Sequence, residues 1–142
     1  MTTNTGSARY EGLGKDGTGH VSTGSGALSD QPYGFTTRFE GAAGTNPEEL
    51  IGAAHASCFT MALSFALARA GHSDGTIETT ATVTLEKDGG GFTVTRSDLV
   101  TTARVPGIAE ADFQTIAADA KVNCPISKLL KAEITLDATL AS

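Results

Sequence analysis

Three observations predict an α+β fold. Residues 45–71 carry helix start and stop signals around a long apolar run. Segments on both sides of that run alternate apolar and polar residues around turn formers. No internal repeat, low-complexity tract or linker divides the chain. The expectation is a single domain over residues 1–142, with residues 1–6 as a flexible N-terminus.

The first strands are expected over 7–13 and 20–23, around the turn-rich Gly14-Lys15-Asp16-Gly17-Thr18-Gly19. Residues 24–34, polar and rich in Gly, Ser and Pro, read as loop. Over 34–40, Phe35, Thr37 and Phe39 alternate with Thr36, Arg38 and Glu40. This predicts a strand with Arg38 on the face opposite the two phenylalanines.

In the long helix, Asn46 is suited to the N-cap. Pro47 suits the first helical position, where its missing N–H is not needed, and Glu49 stands where it can reach back to the cap. Gly71 suits a left-handed C-terminal cap. About 24 residues at about 1.5 Å rise make a rod of about 36 Å.

Residues 76–86 place Ile77, Ala81, Val83 and Leu85 on one side, and Asp88-Gly89-Gly90-Gly91 turns them into a hairpin with 92–104. In that second strand the apolar parity slips from even (Phe92, Val94) to odd (Leu99, Ala103), which predicts a bulge or bend near residues 96–98. Pro106-Gly107 ends the strand, and Phe113, Ile116, Ala117 and Ala120 predict a helix over 109–122. Asn123-Cys124-Pro125-Ile126-Ser127 has the form of another helix start. Residues 132–140 predict a last strand with Ile134, Leu136, Ala138 and Leu140 inward.

A formal charge of −6 and the lack of any Lys/Arg cluster argue against nucleic acid and anionic membrane as partners. The N-terminus MTTNTGSARY has no apolar signal region, so a cytoplasmic protein is expected. Residues 50–70 are long enough to span a bilayer. They contain His55, Ser57, Cys58, Ser64 and Arg69, however, and their apolar positions run most of the way round, the pattern of a buried helix.

The chemistry-bearing candidates centre on Cys58, in the middle of the long helix. Two cysteines 66 positions apart, with no signal peptide, allow three readings: buried inert thiols, a metal pair, or a catalytic thiol with a partner. A zinc site from Cys58, Cys124 and histidines lacks close-spaced ligand pairs, so no metal is expected.

A catalytic cysteine must be a thiolate, and Cys58 lies too far into the helix for the N-terminal dipole to help. Lowering its pKa to about 6 requires roughly 3.4 kcal/mol of differential stabilisation. One arginine at about 4 Å, at an effective dielectric near 20, supplies about 4 kcal/mol. His55, at i−3 from Cys58, raises a Cys–His hydrolase reading against that of a satisfied core histidine. Glu49 is explained by the cap, which leaves Glu48 without a local partner beyond the helix dipole.

The stretches QPYGFTTRFEG, AGTNPEELIGAAHASCFTMALS and NCPISKLL resemble the OsmC/Ohr family of thiol peroxidases, specifically its OsmC branch. The resemblance runs from about residue 10 to the C-terminus. It implies an OsmC-like fold, with antiparallel sheets packed on a long central helix and an intertwined homodimer with active sites at the interface. It also implies reduction of organic hydroperoxides by a peroxidatic cysteine matching Cys58 and a resolving cysteine matching Cys124. An arginine and a glutamate of the family site match Arg38 and Glu48.

Arg38 is then the cation that the thiolate energetics require, oriented by a bidentate pair with Glu48. Glu48 and Cys58 are ten residues apart on one helix, about 15 Å along the axis and about 80° around it, so Glu48 is expected to serve the partner chain's Cys58. The small residues Gly52, Ala53, Ala56 and Ala62 would let two helices approach.

The mechanism implied is a Cys58 sulfenic acid resolved by Cys124 to a disulfide. No metal, flavin or haem is implied. The reductant is an external dithiol, with dihydrolipoyl groups or a lipoylated protein suggested by the resemblance. Phe35, Phe59, Met61 and Ile126 are expected to form an apolar collar favouring alkyl hydroperoxides. The rivals are a Cys58/His55 acyl hydrolase and a non-catalytic redox sensor.

Overall fold

The glycine-rich turn after residue 11 brings β1 (Gly6–Glu11) and β2 (Thr18–Thr23) together antiparallel in a computed structural model that describes residues 1–142. The chain divides into two units, residues 1–50 and 51–142. In the first, the sheet order is β1-β2-β3, and β3 (Gln31–Tyr33) lies within the segment expected as loop. Three residues containing a proline are too short to show alternation, and only pairing with Gly19–Val21 on an edge makes them a strand. Gly19 is required there: a Cβ would lie 2.7 Å from the Tyr33 carbonyl oxygen.

The strand expected over 34–40 is instead a short helix, α1 (Phe35–Phe39). Phe35 and Phe39 are four residues apart, a spacing that fits both a strand face and a helix face, and local bonding decides between them. Thr37 Oγ1 accepts from the Gly34 N–H at 2.8 Å and donates to the Gly34 carbonyl at 3.1 Å, closing the first turn. The two ring centres lie 5.1 Å apart, with the planes tilted by 49°. Arg38 consequently lies beside the phenylalanines, with its guanidinium 5.5 Å from the Phe39 ring centre, rather than on an opposite face.

The long helix α2 (Pro47–Arg69) is 23 residues. Asn46 Oδ1 accepts from the Glu49 N–H at 2.8 Å, as expected of the cap. The Glu49 carboxylate, however, accepts from Thr45 Oγ1 at 2.8 Å rather than reaching back to the cap backbone. At the other end His72 N–H bonds to the Leu67 carbonyl and Gly71 N–H to Ala68, with Gly71 at φ 99°. This pair of bonds closes the helix in a Schellman cap.

The second unit holds the core. β4 (Thr76–Asp88) and β5 (Gly91–Arg104) form the expected hairpin. Its register shifts where Leu85 faces Val94 and Thr84 faces Arg96, leaving Thr95 as the extra residue, just before the expected position. Beyond the bulge the odd residues Ser97, Leu99, Thr101 and Ala103 are buried. β6 (Glu133–Leu140) pairs with β5 in parallel, so this sheet, β4-β5-β6, is mixed rather than antiparallel. A parallel pair needs a crossover, provided by α3 (Glu110–Asn123) and α4 (Pro125–Leu129).

Phe59, Leu63 and Leu67 of α2, Leu99 and Ala103 of β5, and Phe113, Ala117 and Ala120 of α3 form the core. By length and mean hydropathy (1.6) α2 could cross a membrane; in this fold it is the helix on which the core is built. Phe113 is fully buried. Phe113→Ala is expected to lower stability by about 3–5 kcal/mol, read as the shift in a urea unfolding midpoint. A loss within a few tenths of a kcal/mol would show that this core is not as described.

Candidate active site

Cys58 and Cys124 are brought together although 66 positions separate them. α3 buries positions 113, 117 and 120, and Cys124 continues that face one turn on, fully buried. Pro125 disfavours helical geometry at the residue before it, so the chain breaks at Cys124 (φ −58°, ψ 124°) and restarts with Pro125 at the head of α4. The break sets the Cys124 thiol beside Cys58 of α2. Both cysteines are free thiols, and their side chains hydrogen-bond to each other.

Burial pushes the Cys58 thiol above its ordinary pKa, and the hydrogen bond with Cys124 pushes the same way. The Ile126 backbone N–H, in the first turn of α4, opposes them by donating to the sulfur. Within the second unit no cation acts on this thiol. The thiolate that chemistry requires is therefore not stabilised by the second unit alone.

His55, the alternative partner of Cys58, is fully buried, and both its ring nitrogens are occupied. Nδ1 lies 2.7 Å from Ser97 Oγ of β5 and Nε2 lies 2.8 Å from Ser127 Oγ of α4. Burial also lowers its pKa, holding the ring neutral. A ring held this way is not available as the base of a Cys–His pair, which removes the structural basis of the hydrolase reading. No group of three or more potential metal ligands is present.

In the first unit, Arg38 and Glu48 make the expected bidentate pair: Nε to Oε1 at 2.7 Å and Nη2 to Oε2 at 2.9 Å. The Glu48 side chain is 13% exposed and that of Arg38 35%, so the pair is partly shielded and its geometry is fixed at both ends. The bond to Glu48 raises the Arg38 pKa, and burial opposes it. The pair uses two of the five guanidinium N–H donors and leaves the others for a further acceptor.

The expected collar residues are divided between the two units. Phe35 lines a cleft of about 320 Å³ in the first unit with Tyr10, Lys15, Tyr33, Arg38 and Phe39. Lys15 sits over the Phe35 ring at 4.7 Å. Ile126 is partly buried against the core of the second unit, and Met61 is 61% exposed on α2. Phe59 is 0% exposed, a core residue with no surface to offer a substrate, and its expected role is corrected accordingly. Gly52 is also used within the chain: a Cβ there would lie 3.2 Å from the Ala81 carbonyl oxygen, so it lets α2 approach β4.

Sequence reasoning missed Ser97, Ser127 and the tyrosines of the cleft. Tyr33 and Ser127 lie inside the motifs QPYGFTTRFEG and NCPISKLL, whereas Ser97 and Tyr10 stand outside the quoted motifs.

Comparison with known proteins adds independent findings. The family model described as OsmC-like protein matches residues 40–139. The chain is 56% identical over 137 residues to "Peroxiredoxin OsmC" of Escherichia coli (strain K12), covering 96% of each chain. It is 31% identical over 102 residues to the "Organic hydroperoxide resistance protein" of Xanthomonas axonopodis pv. citri (strain 306), covering 71% of this chain and 70% of that one. Among solved structures, the organic hydroperoxide resistance protein OhrB of Bacillus subtilis superposes with a TM-score of 0.68 at 27% identity, covering 99% of this chain and 98% of that one.

Proposed function

The chain belongs to the OsmC-like protein family, in its OsmC branch, and from that premise we infer how its residues carry the chemistry. It is a thiol peroxidase acting on hydroperoxides in oxidative stress defence. The observation that carries the residue-level reading is the pair of free, hydrogen-bonded thiols of Cys58 and Cys124.

Cys58, the more exposed of the two, is the peroxidatic residue. Its thiolate attacks the distal peroxide oxygen, the O–O bond breaks, and the alkoxide leaves as an alcohol after taking a proton. Cys58 is then a sulfenic acid. The Cys124 thiolate attacks the Cys58 sulfur, the S–O bond breaks, and hydroxide leaves as water with formation of the disulfide. An external dithiol restores both thiols by two exchange steps. A dihydrolipoyl group, free or on a lipoylated protein, is the reductant we favour, and the cytoplasm is the compartment.

Arg38 and Glu48 complete the site in trans, within a homodimer. Two observations support this. No cation of the second unit acts on the Cys58 thiol, and ten helical residues place Glu48 about 15 Å from Cys58 along α2. The outer face of α2 also leaves Met61 and Phe65 each 61% exposed, with Ala53, Ser57, Ser64 and Ala68 exposed beside them, an apolar stripe suited to a second copy. Phe35 and Ile126 then contact the alkyl part of the substrate, with Met61 at the rim.

One equivalent of an alkyl hydroperoxide is expected to lower the intact mass by the two hydrogens lost when one disulfide forms. Peptide mapping should link Cys58 to Cys124, and a dithiol should reverse the link through many cycles. An oxidised product lacking this link sinks the resolving role of Cys124, and a link that forms but supports no repeated turnover favours a redox sensor.

A further inference from the structure

The mechanism above leaves the buried His55 network unused, and its placement ties it to the second thiol. α4 (Pro125–Leu129) is only five residues, begins at the proline break, and exposes Pro125, Lys128 and Leu129. At its ends, Lys128 N–H bonds to the Cys124 carbonyl and Leu130 N–H to that of Ile126. A helix this short does not hold itself in place. Two side chains anchor it: Ile126, packed against the core, and Ser127, bonded to His55 Nε2 at 2.8 Å.

His55 is a rigid post for that bond. It is fully buried, sits one turn before Cys58 on α2, and has its ring fixed from behind by Ser97 Oγ at 2.7 Å. One imidazole thus spans from β5 through α2 to α4, and α4 carries both Ile126, whose N–H reaches the Cys58 sulfur, and the segment that starts at Cys124.

We propose that His55 is a positioning residue for disulfide formation: through Ser127 it holds the Cys124–Pro125 junction so that the Cys124 sulfur stays in line with Cys58. The inference rests on Cys58 and Cys124 being the peroxidatic and resolving thiols. Formation of a bond of about 2.05 Å requires near-attack placement. When the anchor is lost, the Cys124 thiolate spends less time in line, the sulfenic acid lives longer, and more of it meets a second peroxide. That second reaction transfers an oxygen from the peroxide to the sulfenic sulfur, giving a sulfinic acid and an alcohol. Peroxide attack uses the Cys58 sulfur, its cation and the Ile126 N–H; Ile126 keeps its own packing against the core when the Ser127 bond is lost, so that step is spared.

The test uses the whole 142-residue chain with Ser127→Ala, which removes the anchor without emptying a core site as His55→Ala would. Single-turnover mixing with an alkyl hydroperoxide follows two steps: sulfenic acid formation by dimedone trapping, and disulfide formation by quenched mass spectrometry. Ser127→Ala is expected to form the sulfenic acid at the wild-type rate, to close the disulfide about tenfold more slowly, and to accumulate more sulfinic acid under excess peroxide. Ser127→Thr, which keeps the hydroxyl, is expected to restore the closing rate.

Disulfide closure in Ser127→Ala at the wild-type rate overturns the proposal, as does equal slowing of both steps, which marks general loosening. If wild type itself forms no Cys58–Cys124 disulfide, the underlying assignment of the thiols fails. If wild type forms it and Ser127→Ala closes it equally fast, only the role of His55 fails.

Discussion

Cys58→Ser is expected to bring dithiol-dependent consumption of an alkyl hydroperoxide down to the uncatalysed background. A serine hydroxyl is not ionised at neutral pH and forms no sulfenic acid, so no other group in the chain replaces the thiol. Cys124→Ser is expected to behave differently. It should reduce a first equivalent of peroxide no more slowly than wild type, because the attacking sulfur is kept and only a neighbour that raises its pKa is removed. It should then stall as a sulfenic acid that reacts only slowly with free dithiol, and excess peroxide should convert it to a sulfinic acid that thiols do not recover. A coupled assay of peroxide loss, with mass spectrometry of the spent protein, separates the two variants. Turnover of Cys58→Ser at a substantial fraction of wild type would remove it as the peroxidatic residue.

The second large effect concerns Arg38. Within its own chain the Cys58 thiol is pushed above its ordinary pKa by burial and by Cys124. Without a cation it stays largely protonated at neutral pH, whereas a pKa near 6 would leave it mostly thiolate. Arg38→Met is therefore expected to lower the second-order rate with hydroperoxide about 100-fold at pH 7. The deficit should shrink as pH rises toward the unassisted thiol pKa, since base then supplies the ionisation that the guanidinium no longer favours. A deficit unchanged at high pH would mean that Arg38 binds substrate instead of the thiolate.

The same variant decides whether the site is shared between chains. When Arg38→Met and Cys58→Ser proteins are unfolded and refolded together at equal amounts, half the dimers are mixed. In a shared arrangement each mixed dimer pairs one intact Arg38 with one intact Cys58. About a quarter of wild-type activity should return from two nearly inactive parents. If both residues serve the same chain, refolding returns nothing, and the trans arrangement is wrong.

How much of this was legible without coordinates depended on whether a signal was local. The cap at Asn46, the hairpin at residues 88–91 and the bulge beside Arg96 were readable because turn chemistry and a period of two act over a few neighbours. α1 was misread because Phe35 and Phe39 satisfy both periods at once, and the deciding contact was the Thr37 hydroxyl on Gly34. β3 was missed because nothing within its three residues specifies a strand until β2 lies beside it. The parallel placement of β6 was equally out of reach, since its alternation is the same whichever way the strand runs.

The sequence by itself determined the long helix, its N-cap and C-cap residues and the single cysteine at its centre. It also carried, through NPEEL and NCP, the family to which the chain belongs. Only the tertiary structure decided what those residues do to one another. It set Cys124 against Cys58 through the break that Pro125 enforces, took His55 out of the chemistry by occupying both nitrogens, and assigned Phe59 and Gly52 to packing. The physical reason is distance along the chain. Helix caps and turns are fixed by neighbours a few residues away, whereas the pairing of two thiols and the satisfaction of a buried ring depend on groups brought in from 42 to 72 positions away.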